Sequence, residues 1–135
     1  MAPINKFYSF VEDLAEGRHN FGSDQLEVAL TNTSPVYTNT QLSNITQISY
    51  VNISSRAVTT VSSSQSLGVY KLILTDLTLN ATGVVPTFQY VVLFNQTSAG
   101  DLLIGWYDVG ASVNLVSGET FTIDFDGTNG AISLA

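Results

Sequence analysis

Two carboxylates, Asp101 and Asp108, flank the aromatic pair Trp106-Tyr107, and glycoside hydrolysis requires two acids a few ångströms apart beside a ring on which a sugar can stack. Asp101 falls in a turn-forming stretch and Asp108 directly follows Tyr107, so their spacing does not bring them together and they read as two solvated acids. Tyr90, Trp106 and Tyr107 offer the related binding chemistry, flat apolar faces for a glycan, against the competing role of aromatic residues as core on central strands. Asp124, Asp126 and Asn129 lie in Asp-Phe-Asp-Gly-Thr-Asn, which packs oxygen donors into a turn as calcium prefers, but the spacing is not that of an EF-hand loop. Asp126 precedes Gly127 as turn residues commonly do, so the cluster reads as turn chemistry. His19 is the single histidine and cysteine is absent, which leaves no transition-metal donor set and gives His19 the role of a surface or helix-terminal contact. Serine is abundant, yet the chain contains no Gly-x-Ser-x-Gly elbow, Walker loop or Gly-x-Gly-x-x-Gly fingerprint. These residues describe a chain that is not an enzyme and that uses no cofactor.

The composition restricts partners as well. Four basic residues, Lys6, Arg18, Arg56 and Lys71, stand against eleven acids for a net charge of −7, which repels phosphate backbones and anionic lipid. Nucleic acid and membrane are therefore not expected partners. The apolar runs fall short of the roughly 20 residues that cross a bilayer, and the first residues do not show a basic region followed by an apolar one. Sequons begin at Asn32, Asn44, Asn52, Asn80 and Asn95, a number expected by chance in a chain rich in Asn, Ser and Thr. The lack of cysteine suits synthesis in a reducing cytoplasm. At 135 residues, 44% of them apolar and only 11% charged, one globular domain spanning residues 1–135 is expected.

Ile4, Phe7, Val11 and Leu14 recur at helical spacing with Phe10 beside them, while Lys6, Ser9, Glu12, Asp13 and Glu16 take the other side. This predicts an amphipathic helix within residues 1–17, with Pro3 near its start and Gly17 as its cap. Strands are expected over residues 24–135. Leu26, Val28 and Leu30 alternate with Gln25, Glu27 and Thr31 as in a strand with one wet face. The Asn32 to Asn44 stretch reads as an irregular excursion, Arg56 to Val61 as a strand, and Ser62 to Ser66 as a mobile loop without an apolar anchor. The inward phase flips between Leu74 and Leu77, which predicts a β-bulge at Thr75 and Asp76. Phe88 to Phe94 and Leu102 to Tyr107 are apolar on both faces, as covered central strands are, with Asn95 to Asp101 as their hairpin connection. Val113 and Leu115 are expected to pair with Phe121, Ile123 and Phe125 across the Val116 to Glu119 turn. Asp126-Gly127 and Asn129-Gly130 mark a last turn, after which Ile132 and Leu134 should be tied into a sheet. The fold class that results is mainly β, an antiparallel β-sandwich or flattened barrel with one N-terminal amphipathic helix.

Three segments also carry a resemblance: Asn5-Lys6-Phe7-Tyr8-Ser9-Phe10-Val11-Glu12-Asp13-Leu14-Ala15-Glu16, then Leu26-Glu27-Val28-Ala29-Leu30-Thr31-Asn32-Thr33-Ser34-Pro35, and Gly118 to Gly130 with its Asp-Phe-Asp-Gly core. Together with Gly68 to Leu72 and Leu103 to Tyr107, they resemble small structural proteins of tailed bacteriophages. The resemblance implies a virion component made in the bacterial host cytoplasm, most simply a head decoration or cement protein on the outside of the major capsid shell, associating with itself as a trimer. Candidate contacts to the capsid or to sister subunits are Phe7, Phe10, Val11 and Leu14 on the helix, Pro35 and Tyr37 in the excursion, and Ser63 and Gln65 in the serine-rich loop. Within the virion the alternative is a tail or fibre component that binds a host glycan through Tyr90, Trp106 and Tyr107, and a small glycan hydrolase is the alternative of another class.

Overall fold

A computed structural model describes residues 3–135. Its first departure from the sequence pattern comes at Phe7, whose backbone is extended rather than helical (φ −70°, ψ 148°). Residues Asn5–Lys6 form a short strand, β1, and the helix α1 occupies only Tyr8–Ala15. The chain is held extended because β1 pairs with a long strand, β8 (Leu102–Leu115), and the Phe7 amide donates to the Ile104 carbonyl at 3.2 Å. Gly105 permits this approach: a Cβ there would come within 2.7 Å of the Asn5 carbonyl oxygen and of Ile4 Cγ1. At the other end of the helix the expectation for Gly17 holds. Gly17 has φ +78° and its amide donates to Leu14, while the Arg18 amide reaches back to Asp13 at 2.8 Å; these are the two crossed bonds of a Schellman cap.

The remaining strands are β2 (Leu26–Thr31), β3 (Ala57–Val58), β4 (Thr60–Ser66), β5 (Val69–Leu74), β6 (Leu77–Asn80), β7 (Val85–Asn95), β9 (Thr120–Ile123) and β10 (Ile132–Leu134). They form a five-stranded sheet in the order β1-β8-β7-β2-β3, a three-stranded sheet β10-β5-β4 and a two-stranded sheet β6-β9, with every pairing antiparallel. The fold is mainly β and sandwich-like, as the sequence pattern predicts, with one short N-terminal helix.

Two apolar clusters explain why β7 and β8 are hydrophobic on both faces. On one face of the large sheet Leu26, Val28, Leu30, Phe88, Val91, Leu93, Ile104 and Tyr107 pack with Leu72, Leu74, Leu79, Ile123, Phe125 and Ile132 from the smaller sheets. On the other face Ala29, Val92, Phe94, Leu103 and Trp106 pack with Phe7 and Ile45. Phe10 belongs to the first cluster and Phe7 to the second, so the turn into α1 wraps the edge of the sheet. The second cluster also removes the wet face expected of β2: Ala29 and Thr31 are fully buried, and Glu27 pairs with Arg56 at 3.0 Å.

Three further expectations are corrected. Ser62 to Ser66 is a strand rather than a loop, because β4 pairs residue by residue with β5 and Ser63 shares a 2.6 Å hydrogen bond with the Tyr70 hydroxyl; backbone pairing supplies the anchor that its side chains lack. The phase flip at Thr75 and Asp76 is the point where the chain leaves one sheet for another, β5 pairing with β4 and β10, and β6 with β9. The Val116 to Glu119 turn forms, with the Glu119 amide on the Val116 carbonyl at 3.0 Å. The strands it joins do not pair with each other, since β8 pairs with β7 and β1 and β9 pairs with β6. Residues 45–56 run along the remaining edge of β2 through both backbone and side-chain bonds: the Val28 amide donates to the Arg56 carbonyl and the Ile48 amide to the Leu30 carbonyl, each at 3.0 Å, while the Leu30 amide donates to the Tyr50 hydroxyl at 3.0 Å and the Arg56 guanidinium, 3.6 Å from the centre of the Tyr50 ring, donates to the Val28 carbonyl. The C-terminal strand is tied in as expected, with Ile132, Ser133 and Leu134 opposite Leu72, Lys71 and Tyr70.

Candidate functional site

The residues suited to chemistry do not converge. Asp101 closes the loop before β8 and Asp108 lies within it. Seven residue steps along extended chain separate them, which at about 3.3 Å per residue places their backbones about 23 Å apart, beyond the separation of any glycosidase pair. Asp108 is exposed and accepts from Gln89 Nε2 at 3.1 Å and the Gly110 amide at 2.8 Å; these bonds, Gln89's first, hold its carboxyl below the usual carboxylate range. Asp126 accepts from the amides of Thr128 and Asn129 and from Asn129 Nδ2, and the same amides, Asn129's first, lower its pKa. Its oxygens thus organise the turn before β10. Among the described residues no three His, Asp or Glu side chains gather into a group able to hold a metal ion, and no helix is long and apolar enough to cross a membrane.

The aromatic residues proposed for a glycan are corrected by burial and by the pleat. Trp106 and Tyr107 are successive residues of β8 on opposite faces: Trp106 packs on Phe7 (ring centres 4.7 Å apart) in the second cluster, and Tyr107 on Phe125 (6.0 Å) in the first. Both are almost wholly buried and Tyr90 is half-buried, so the three make no open platform. Burial also pushes the Tyr107 hydroxyl pKa up.

Of the expected contact residues, Phe7, Phe10 and Pro35 are buried in the chain's own interior, where they serve packing. Leu14 is half-buried against the first cluster. Ser63 is half-buried beneath Tyr70, and exposed Gln65 accepts from the Gly68 amide at 3.0 Å. Val11 and Tyr37 do reach the surface, and the structure adds two partners that the helical spacing had not singled out. Tyr8, Val11, Val36 and Tyr37 are 65, 58, 53 and 43% exposed. Tyr8 and Val11 share a face of α1 at i, i+3. The Tyr8 ring stacks on Tyr37 with centres 5.2 Å apart and planes at 14°, and the Tyr8 amide donates to the Tyr37 carbonyl at 3.0 Å. Tyr37 in turn meets Trp106 edge-on at 4.8 Å, so the exposed pair is mounted on the buried Phe7–Trp106 stack. Val36 is held by its amide on Asn39 Oδ1 at 3.0 Å. Tyr8 escaped the sequence reading because that reading started the helix before Phe7; starting it at Tyr8 turns Tyr8 and Val11 outward and Phe10 inward.

His19 is likewise inside rather than at the surface, with 6% exposure. Its ring packs beside Phe10 and Phe21, and its Nδ1 lies 3.0 Å from Asn95 Nδ2. The Asn95 amide is oriented by its other bonds, Nδ2 donating to Asp24 at 2.7 Å and Oδ1 accepting from the Thr97 and Ser98 amides. Nδ1 of His19 must therefore accept, and the neutral ring carries its proton on Nε2, which has no partner. Burial lowers the His19 pKa below its ordinary value of 6.5, against the opposing pull of Asp13 and Asp24. Because the unfolded chain then binds the proton more readily than the folded one, the stabilisation is complete above pH 6.5 and is lost as pH falls through the lower native value. Urea denaturation between pH 7.5 and 5 is expected to show this loss in the parent chain and a flatter profile in His19→Gln; parallel profiles would show that His19 does not cause it.

Compared with known proteins, the chain matches no family model, no curated protein and no solved structure.

Proposed function

We propose that this chain is a structural component of a tailed-bacteriophage virion, a head decoration or cement protein that binds the outside of the major capsid shell. The observation that carries the reading is the exposed Tyr8–Tyr37 stack, seated on the buried Trp106, with exposed Val11 on the same helix face as Tyr8 and exposed Val36 beside Tyr37 in the chain. Exposed aromatic residues on a pre-ordered support are what association surfaces use, because burying them costs little side-chain entropy. A cement protein adds buried area across junctions that internal pressure opens, and it requires adhesion rather than a reaction. Asp108 and Asp126 accept from the amides of their own turns and His19 is packed inside, which suits such a role, as does an acidic exterior kept away from the genome. The capsid protein is the proposed partner, and the capsid exterior the proposed location.

Quantitative mass spectrometry of purified virions tests this. A copy number equal to that of the major capsid protein, or a simple fraction of it, is expected. A ratio of a few copies per particle would move the chain to the tail or fibre, and absence from the particle would overturn the reading. With isolated shells, Tyr8→Ser combined with Tyr37→Ser is expected to weaken binding at least tenfold.

A further inference from the structure

β4 is an unprotected sheet edge. It bonds to β5 alone, so the outward N–H and C=O groups of Thr60–Ser66 face away from the sheet. Exposed edges are normally blunted by charge, proline or shortness, whereas no side chain between Arg56 and Lys71 is charged and none is proline. The one register shift lies between Thr60 and Ser62, leaving Ser62 to Ser66 regular. The two-residue turn beyond it adds an anomaly. Leu67 is fully exposed and has φ +52°, a backbone conformation that disfavours leucine and suits glycine or asparagine. Val61, at the start of the same strand, is also mostly exposed.

We propose that β4 pairs antiparallel with β4 of a second copy about a twofold axis, joining the two three-stranded sheets into one of six. Charge favours this occupant: in a chain of net charge −7, two copies can approach without like-charge repulsion along the neutral stretch between Arg56 and Lys71. Shape favours it too, since the serines of β4 allow close approach, and the Ser62 and Ser64 hydroxyls already satisfy each other at 3.1 Å. A twofold antiparallel pair requires one residue to face its own counterpart. With the axis at Ser64, the regular stretch pairs Ser62 of one copy opposite Ser66 of the other, and the exposed Val61 and Leu67 lie just beyond its two ends. This association is independent of capsid binding and differs from the threefold assembly that the resemblance implies.

The absence of native cysteine makes cross-linking clean. Opposed Cβ atoms in an antiparallel pair lie about 4.5–5.5 Å apart, so Ser64→Cys is expected to give a disulfide-linked dimer on mild oxidation of the purified protein, at least tenfold faster than Ser117→Cys on the exposed turn after β8. Sedimentation equilibrium of the parent chain is expected to show a dimer that Val61→Lys with Ser64→Lys converts to folded monomer, checked by circular dichroism. A parent that stays monomeric, a trimer, or Ser64→Cys cross-linking no faster than the control overturns the proposal.

Discussion

Asn95→Ala is expected to lower the unfolding free energy by about 3 kcal/mol, a loss tied to an unpaired buried network rather than to lost volume. Asn95 is the last residue of β7, fully buried, and bonded through its side chain to four groups. Nδ2 bridges Asp24 and His19, and Oδ1 caps the Thr97 and Ser98 amides at 3.1 and 3.2 Å. The same residue therefore ties the loop after α1 to the hairpin between β7 and β8. Removing it strands the His19 ring nitrogen among aromatic side chains and leaves the Asp24 carboxylate without its closest partner. The control is Asn80→Ala: Asn80 also begins a sequon but is exposed, and its change should stay within about 0.5 kcal/mol. Urea denaturation monitored by the fluorescence of the single Trp106 measures both. Equal losses for the two variants would show that the network contributes nothing specific.

Phe7→Ala is expected to cost about 3–5 kcal/mol, as deletion of a buried phenylalanine does when the surroundings cannot collapse. Phe7 is fully buried against Trp106, and its neighbours β1 and β8 are held by backbone pairing, which limits relaxation into the cavity. The Tyr8–Tyr37 stack rests on that base, so the variant should also lose the near-ultraviolet circular dichroism of the ordered rings. Tyr8→Ser separates the two roles. Its side chain is mostly exposed, and the change should cost under about 1 kcal/mol, the scale of one aromatic pair, while removing the centre of the proposed binding surface. A Phe7→Ala protein of undiminished stability would refute the assignment of Phe7 to the core.

Local pattern in the chain was enough for the strand-rich class, the doubly apolar β7 and β8, the Gly17 cap, the turn at Asp126 and the attachment of the last residues. Each depends on neighbours within a few positions: alternation along a strand, a glycine with positive φ, or a carboxylate reaching its own backbone. Tertiary structure alone decided where the helix begins, because the extended backbone at Phe7 is set by its bond to Ile104, far along the chain. It made a strand of the serine-rich Ser62 to Ser66, whose stability comes from β5 rather than from its own side chains. It turned the phase flip after Leu74 into a change of sheet, and gave β9 the partner β6 in place of the strand just before it. The exposed aromatic patch is of the same kind, since Tyr8 and Tyr37 meet only after β1 has pinned the start of the helix to β8. Pairing between distant strands fixes such features through backbone groups that every residue carries, so side-chain sequence leaves little local trace of them.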